Sequence, residues 1–427
     1  MRLLLVNPNR YRQPATPPVG LEYLVAPLRR AGHEPHLLDL CFADDPPAAL
    51  TQSLDELAPD VVGFTVRNVD TVLYHTNEFF LDQIAPLVEI AHAAGIPVLV
   101  GGSGVATMPG AVRSYLGADY ALDGPAEAAL PLMLNALTSD RSEPPTLVDG
   151  WAARPNPAQR HPRGKLLDYA PYLEAAARFG FETQKGCNGR CIFCTEAARP
   201  VLAREPAAVV DEIAALVELG ATQLFCCDSE FNQALPHCKA VLHSLVARSL
   251  PIDWTLYMKP RPHDAELFEL LARTNCTSIT LSADTVSLYG PDPAYTETDV
   301  ASVIELAQRA GIKLAVDLTV GLPGEPGDAP ARAVELFRRH RPGTVGINAY
   351  LRLYPAATMT ALVMSDPGLR THVEPRARVT TRDHDGFIQP VHYHHLNDEA
   401  LERLIAGDGL FRIEGREPGV NYQRLEK

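Results

Sequence analysis

At 427 residues, with 46% hydrophobic and 21% charged side chains, the chain is long enough for two domains that each bury a core, and its composition is that of a globular protein. Its formal net charge of -14 argues against nonspecific attraction to nucleic acid or to an anionic membrane surface, and suits neutral or cationic small molecules better. No apolar run approaches the roughly 18 residues of a membrane span, and eight cysteines, three of them clustered, do not form an extracellular disulfide framework. A cytoplasmic protein without nucleic-acid or membrane partners is expected.

The N-terminal run Leu3–Val6 reads as a core strand and not as a signal peptide, because it leads into a turn and a helix without a cleavage pattern. Leu21, Leu24, Val25 and Leu28 share one helical face closed by Gly32, with Pro27 disturbing the last turn. Strand-like runs recur at Pro35–Leu40, Val61–Val66, Val98–Val100 and Asp119–Leu122. Parallel strands with helical crossovers predict a doubly wound, Rossmann-like α/β domain over residues 1–140. Residues 141–175 hold Pro144, Pro145, Pro155, Pro157 and Pro162 among polar residues with no apolar period, and read as a Pro-rich linker.

A second alternating series begins near Phe179. Its strand candidates are Gly180–Gln184, Gln223–Cys227, Ile252–Tyr257, Ser278–Ser282, Lys313–Val320 and Thr344–Leu351. One helix carries Val209, Val210, Ile213, Leu216 and Val217 between Pro206 and Gly220, and another carries Val300, Val303, Ile304 and Ala307 before Gly311. Six strand–helix units over residues 176–360 predict a partial (β/α)6 barrel, two units short of a full one. Residues 361–427 read as a small C-terminal extension with one helix near Asp398–Ala406.

Just after the first strand of this series stands Lys185-Gly-Cys-Asn-Gly-Arg-Cys-Ile-Phe-Cys194. Cys187, Cys191 and Cys194 can aim three thiolates at one centre, and thiolates are the ligands that iron–sulfur clusters prefer. Gly186 and Gly189 let the backbone wrap a bulky group. Zinc takes four ligands, commonly in two close pairs, and the next cysteines, Cys226 and Cys227, fall in a different strand. Three ligands leave one iron of a four-iron cluster open, which is a catalytic arrangement.

CxxxCxxC with an aromatic before the third cysteine, after the first strand of a partial barrel, resembles the signature of the radical S-adenosylmethionine (SAM) superfamily. The resemblance implies that the three cysteines bind a 4Fe-4S cluster whose open iron chelates SAM. One-electron reduction then yields methionine and a 5′-deoxyadenosyl radical, which calls for an electron donor such as flavodoxin or ferredoxin. It places Phe193 against the adenine and makes Val320-Gly-Leu-Pro-Gly-Glu325 similar to the family's adenine-contacting turn, with Gly321, Leu322 and Glu325 as cofactor contacts. Ser282 and Asp284, at the fourth strand's end, occupy the place of a Gly-x-Glu-Ser run, with the acid displaced. Arg352 is a candidate partner for the SAM carboxylate, or a local ion pair.

Asp228 and Glu230, with Asn232, follow the second strand, Tyr257 and Lys259 end the third, and Asp317 lies in the fifth. These are the candidate catalytic residues, against the alternative that they are solvated loop ends and helix caps. Four carboxylates facing one cavity, Asp228, Glu230, Asp284 and Asp317, predict a polar substrate with hydroxyl or ammonium groups. Cys226, Cys227, Cys238 and Cys276 read as core residues. In His392-Tyr-His-His395 the alternation puts His392 and His394 on one face without an evident carboxylate, so no metal site is expected there.

The N-terminal domain resembles the cobalamin-binding domain that precedes many radical SAM barrels, through Pro18-Val-Gly-Leu-Glu22, Val62-Gly-Phe-Thr65, Gly101-Gly102 and Asp123-Gly-Pro-Ala-Glu127. Thr65, Arg67, Gly101 and Gly102 are the candidate corrin contacts, with Asn68 and Asp70 beside them. No Asp-x-His-x-x-Gly follows the first strand, so no histidine is placed to ligate cobalt. The favoured function is cobalamin-dependent C-methylation of a natural product. Two alternatives stay open: cobalamin-independent radical dehydration, deoxygenation or rearrangement of an aminosugar-like substrate, and a metal-dependent sensor or scaffold without SAM turnover.

Overall fold

The computed structural model describes residues 1–138, 144–375, 380–382, 386–416 and 419–425. Short apolar runs with both faces covered form the strands β1 (Arg2–Asn7), β2 (Glu34–Asp39), β3 (Val61–Thr65), β4 (Val98–Gly101), β5 (Tyr120–Asp123) and β6 (Leu147–Asp149). They make one parallel sheet in the order β2-β1-β3-β4-β5-β6, with helices packed on both faces. The order reverses between β1 and β3, where a doubly wound sheet opens a crevice at the carboxyl ends of its strands.

The second sheet is also parallel. Its strands are β7 (Phe179–Phe181), β10 (Gln223–Cys226), β11 (Asp253–Met258), β12 (Cys276–Asp284), β13 (Lys313–Thr319) and β14 (Thr344–Asn348), in sequence order across the sheet. A two-stranded hairpin, β8 (Gln184–Lys185) and β9 (Leu202–Ala203), brackets the cysteine loop. Beyond β14, β15 (Leu351–Arg352), β16 (Val373–Pro375) and β17 (Val391–Tyr393) form a small antiparallel sheet. Last comes β18 (Phe411–Ile413), which pairs in parallel with β14. Among the described residues no helix is long and apolar enough to cross a membrane.

Three expectations from sequence need correction. The N-terminal sheet does not stop at residue 140, because β6 lies inside the stretch read as a linker. That stretch is no solvated tether either: Gln159, His161, Arg163, Leu167, Tyr169 and Tyr172 are buried in it. The C-terminal extension is part of the barrel, since β18 adds a seventh strand to the six expected.

The buried connector carries the main electrostatic joint of the molecule. Arg163, with no side-chain exposure, bonds Glu22 at 2.9 Å on the Val19–Arg30 helix and Glu212 at 2.7 Å on the Pro206–Glu218 helix. It also donates to the Gly180 carbonyl at 2.9 Å. Arg204 meets the other Glu212 oxygen at 2.8 Å, and the Tyr23 and Tyr169 hydroxyls donate to Glu212 and Glu22. Lys185 completes the seam by pairing with Glu127 at 2.9 Å and with Glu182. These contacts join the first domain, the connector and the barrel.

The C-terminal segment plugs the barrel. Asn421 is buried, donates to the Val316 carbonyl at 2.7 Å and to Asp317 at 3.1 Å, and accepts from Thr344 at 3.1 Å. A side chain at Gly346 would stand 2.1 Å from a Glu414 oxygen. Burial pushes Glu414 up to about 7, outweighing the pull of Arg412 at 3.1 Å.

Replacing Arg163 with Ala strips buried Glu22 of its cation, leaves Glu212 with Arg204 alone, and should cost about 3–5 kcal/mol in denaturant unfolding. A loss below about 1 kcal/mol, the worth of an exposed pair, would show the joint to be dispensable. Because the folded pKa of Glu414 is raised, its contribution is complete at low pH and is lost as pH rises from 4.5 to about 7. Glu414→Gln should flatten that slope, and melting midpoints that keep the native difference between about pH 5 and about pH 7.5 would contradict it.

Candidate active site

The C-terminal ends of the two sheets face each other. Asp123, ending β5, pairs with Arg199 of the cysteine segment at 3.4 Å. Glu127 pairs with Lys185, and Arg67, just past β3, lies in the electrostatic field of Cys227, just past β10. Active sites of such barrels and crevices of such sheets both sit at these edges, and here the two edges are joined by ion pairs.

The cysteine loop hangs from β8. Gly186, at φ +80°, leaves no room for a side chain, since a Cβ would meet the Pro200 carbonyl at 2.1 Å. The Gly189 amide donates to Cys187 Sγ at 3.3 Å, Gln233 Nε2 donates to the same sulfur at 3.2 Å, and the Glu196 amide donates to Cys194 Sγ at 3.4 Å. Cys191 and Cys194 feel each other and Cys187 electrostatically, and burial pushes both thiols up, Cys194 to about 11. Buried sulfurs with amide donors aimed at them suit thiolates neutralised by iron. The donor set therefore fits a 4Fe-4S cluster.

At the barrel mouth the predicted carboxylates divide. Asp228 accepts from the Thr183 amide at 2.7 Å, the Gln184 amide at 3.2 Å and the Thr183 hydroxyl, so it braces the strand that leads to the cysteines. Burial raises it to about 6. Asp284 caps the Thr285–Tyr289 helix through the Ser287 amide at 2.6 Å, with its carboxyl beside the Cys191 thiol. Asp317 lies within the barrel, held by Asn421 and by the Tyr257 hydroxyl at 3.3 Å. For Asp228, Asp284 and Asp317 the bland alternative of caps and internal braces holds, and the expectation of four ligand-facing carboxylates is corrected. Tyr257, tied to Asp317, is an internal brace as well.

Glu230 is different. One oxygen is buried without a hydrogen-bond partner among the described residues, and burial pushes the carboxyl up to about 8 against the pull of Ser282 and Lys259. Lys259 itself reaches the cysteine loop, bonding Asn188 and Gln233, the latter at 3.1 Å.

The Gly321 turn also converges on the loop. Glu325 folds back to accept from the Gly321 amide at 3.0 Å and from the Thr285 hydroxyl, so its carboxylate shapes the turn from within. Leu322 is buried with Leu351, Leu353, Met359 and Tyr393, and Phe193 packs against that cluster. Gly321 stands at φ +76° with Leu396 3.7 Å from a Cβ position.

Arg352 has no free guanidinium nitrogen to offer a ligand. Its side chain is 2% exposed and pairs with Asp70 at 3.1 Å. The local ion pair is the reading that holds, because every guanidinium nitrogen is already used. On the first domain, Thr65 is half-buried and Arg67 is exposed, reaching Thr16 at 3.2 Å. The constraint at Gly102 is internal: at φ +103°, a Cβ would lie 2.7 Å from the Val66 carbonyl, while the Gly101 carbonyl accepts from Val66. These two glycines seat the next helix against β3. His394 does have a carboxylate, Glu374 at 3.0 Å, contrary to the sequence reading. Sequence reading missed Gln233, whose only signal is its place three residues past Glu230 in the loop after β10.

Comparison with known proteins agrees with this architecture. The model described as B12 binding domain matches residues 11–134, and that described as Radical SAM superfamily matches residues 181–337. Tryptophan 2-C-methyltransferase of Streptomyces laurentii is 29% identical, over 86% of this chain and 75% of that protein. A structure of the radical S-adenosylmethionine methyltransferase TsrM from Kitasatospora setae, with tryptophan and a SAM analogue bound, matches with a TM-score of 0.78 at 27% identity, covering 90% of this chain and 79% of that one. A TsrM structure with cobalamin and an iron–sulfur cluster shares the fold with a TM-score of 0.81 at 24% identity, covering 99% and 94%. The chain thus carries a B12-binding domain over residues 11–134 followed by a radical SAM domain over residues 181–337.

Proposed function

We propose that this enzyme methylates a carbon of a small aromatic amino acid of the tryptophan type, using SAM, a 4Fe-4S cluster and cobalamin. The observation that carries the reading is the pairing of the cysteine segment with the C-terminal edge of the first sheet, Arg199 with Asp123 and Lys185 with Glu127. The activity of the relatives, tryptophan methylation, supports the substrate class. When bound, the cluster would supply a coordination site for SAM and single-electron chemistry, and the corrin a methyl carrier.

The chain's own residues supply the rest. Cys187, Cys191 and Cys194 hold the cluster, and Gln233 with the Gly189 and Glu196 amides steadies the sulfurs. Phe193 and the Gly321–Leu322 turn line the adenine side. Ser282 orients Glu230, whose free oxygen accepts an ammonium group. Lys259 holds the cysteine loop in register with that carboxylate. Thr65 and Arg67 stand at the corrin side, where no histidine offers itself to cobalt. A reducing cytoplasm with flavodoxin or ferredoxin suits such a cluster. The cobalamin-free dehydration of an aminosugar has no comparable support.

Anaerobic protein should carry about four irons per chain, and Ala at any of the three cysteines should abolish them. Incubated with methyl-labelled SAM, hydroxocobalamin, a reductant and tryptophan, the native protein should place label on the indole ring. Iron-loaded, cobalamin-loaded protein that labels no aromatic amino acid would refute the substrate class. Glu230→Gln should raise KM for SAM or for the amino acid on the order of 100-fold, since a buried ammonium–carboxylate contact is worth about 2–5 kcal/mol. Unchanged KM values for both would remove Glu230 from the site.

A further inference from the structure

Between β3 and the Leu81–Ala93 helix, the chain leaves the first domain as a strap and fastens onto the C-terminal half. Asp70 bridges Phe79 across the strap, the Tyr74 ring stacks on Tyr350 at 4.5 Å, and His75 pairs with Asp398 at 3.1 Å. Thr76 donates to the Gly415 carbonyl, and His392 reaches the Val72 carbonyl, both at 3.2 Å. The innermost fastening is Arg352–Asp70, both side chains almost fully buried and 282 positions apart. Arg352 Nε donates to Asp70 at 3.1 Å and Nη1 to the Leu353 carbonyl at 2.7 Å. Nη2 donates to the Phe387 carbonyl, and the guanidinium lies 4.9 Å over the Tyr354 ring. The other Asp70 oxygen accepts from the Val72 amide at 2.7 Å.

We infer that Arg352 is a positioning residue for the corrin side of the cavity: by fixing Asp70 it fixes the backbone that presents Arg67. The inference rests on the reading that the crevice beside β3 takes cobalamin. Only Asn68 and Val69 separate Arg67 from Asp70, and Val69 is buried. On the other side, the Arg67 carbonyl accepts from Ser103 at 2.7 Å, and the Val66 carbonyl accepts from the Gly104 amide at 2.9 Å. The backbone from Val66 to Asp70 is thus pinned at both ends, while the Arg67 side chain stays exposed.

Stability alone does not explain such a pair. A buried ion pair usually gains little over well-packed apolar residues, and its best-attested use is to fix register. Here the register is that of a cofactor face. Arg352 sits on β15, paired with β17, whose Tyr393 packs in the cluster that holds Leu322 and Phe193. One small sheet thereby touches the SAM turn on one side and the root of the Arg67 strap on the other.

The test uses full-length, cluster-loaded protein with cob(II)alamin, read by electron paramagnetic resonance of the cobalt. Arg352→Met removes the charge and keeps volume, and the double variant Asp70→Asn/Arg352→Gln leaves no lone buried charge if the single one folds poorly. Both should retain about four irons, bind cob(II)alamin about 10–100-fold more weakly, and shift the cobalt spectrum toward that of Arg67→Ala. A folded double variant with native affinity and spectrum, while Arg67→Ala differs from native, overturns the inference and leaves the functional reading standing. A native spectrum in Arg67→Ala also overturns it. Failure of the native protein to bind cob(II)alamin overturns the functional reading, and the inference with it.

Discussion

Arg163 is the constraint on which the rest of the arrangement depends. A guanidinium without side-chain exposure is tolerable only if its charge is met, and it is met by Glu22 from one domain and Glu212 from the other. Neither carboxylate can leave without stranding the cation, so the helices that carry them are held in one relation. That relation sets the C-terminal edges of the two sheets against each other. Tyr23 extends the joint, accepting from the Glu182 amide at 2.9 Å at the end of β7, and Lys185 next to the cysteine loop closes it on Glu127. The loop is therefore referenced directly to the first domain, through a chain of short polar contacts, and not merely through the barrel.

A second consequence concerns rigidity. The strap after β3 and the plug after β18 fasten the opposite side of the cavity, at Tyr350 and Asp398 and at Asp317 and Asn421. Radical chemistry needs reacting groups held in place and water kept away. A connector on one side, with an early strap and a late plug on the other, supplies that fixity.

Much of this was legible in the sequence, for a specific reason. The cysteine loop, the strand runs and the helix that carries Val209 and Ile213 are local patterns, and spacing alone reports them. The failures are long-range pairings. Nothing near Arg163 in sequence announces Glu22 or Glu212, and a run of prolines among polar residues looks alike whether it crosses solvent or threads between two domains. Arg352 was legible as a cation in need of an anion, but Asp70 lies too far back in the chain to suggest itself. β18 escaped notice because three residues, Phe411–Ile413, are too short to show a period. Glu22 and Glu127 belong to stretches that resemble a cofactor domain, yet both are spent on the domain joint.

The same distinction sorts the carboxylates. Sequence places Asp228, Glu230, Asp284 and Asp317 at strand ends or within strands and cannot say which of them has its bonds made inside the protein. A buried carboxylate is affordable when amides or hydroxyls already point at it, and three of the four meet that condition through Thr183, Ser287 and Asn421. Glu230 keeps one oxygen unmet and is pushed up to about 8, so in the empty cavity it favours the protonated form at neutral pH. An arriving ammonium group reverses that preference and recovers the charge–charge energy that burial withholds. Of the four, Glu230 is therefore the carboxylate left able to meet a cation, beside the loop where the cluster is held.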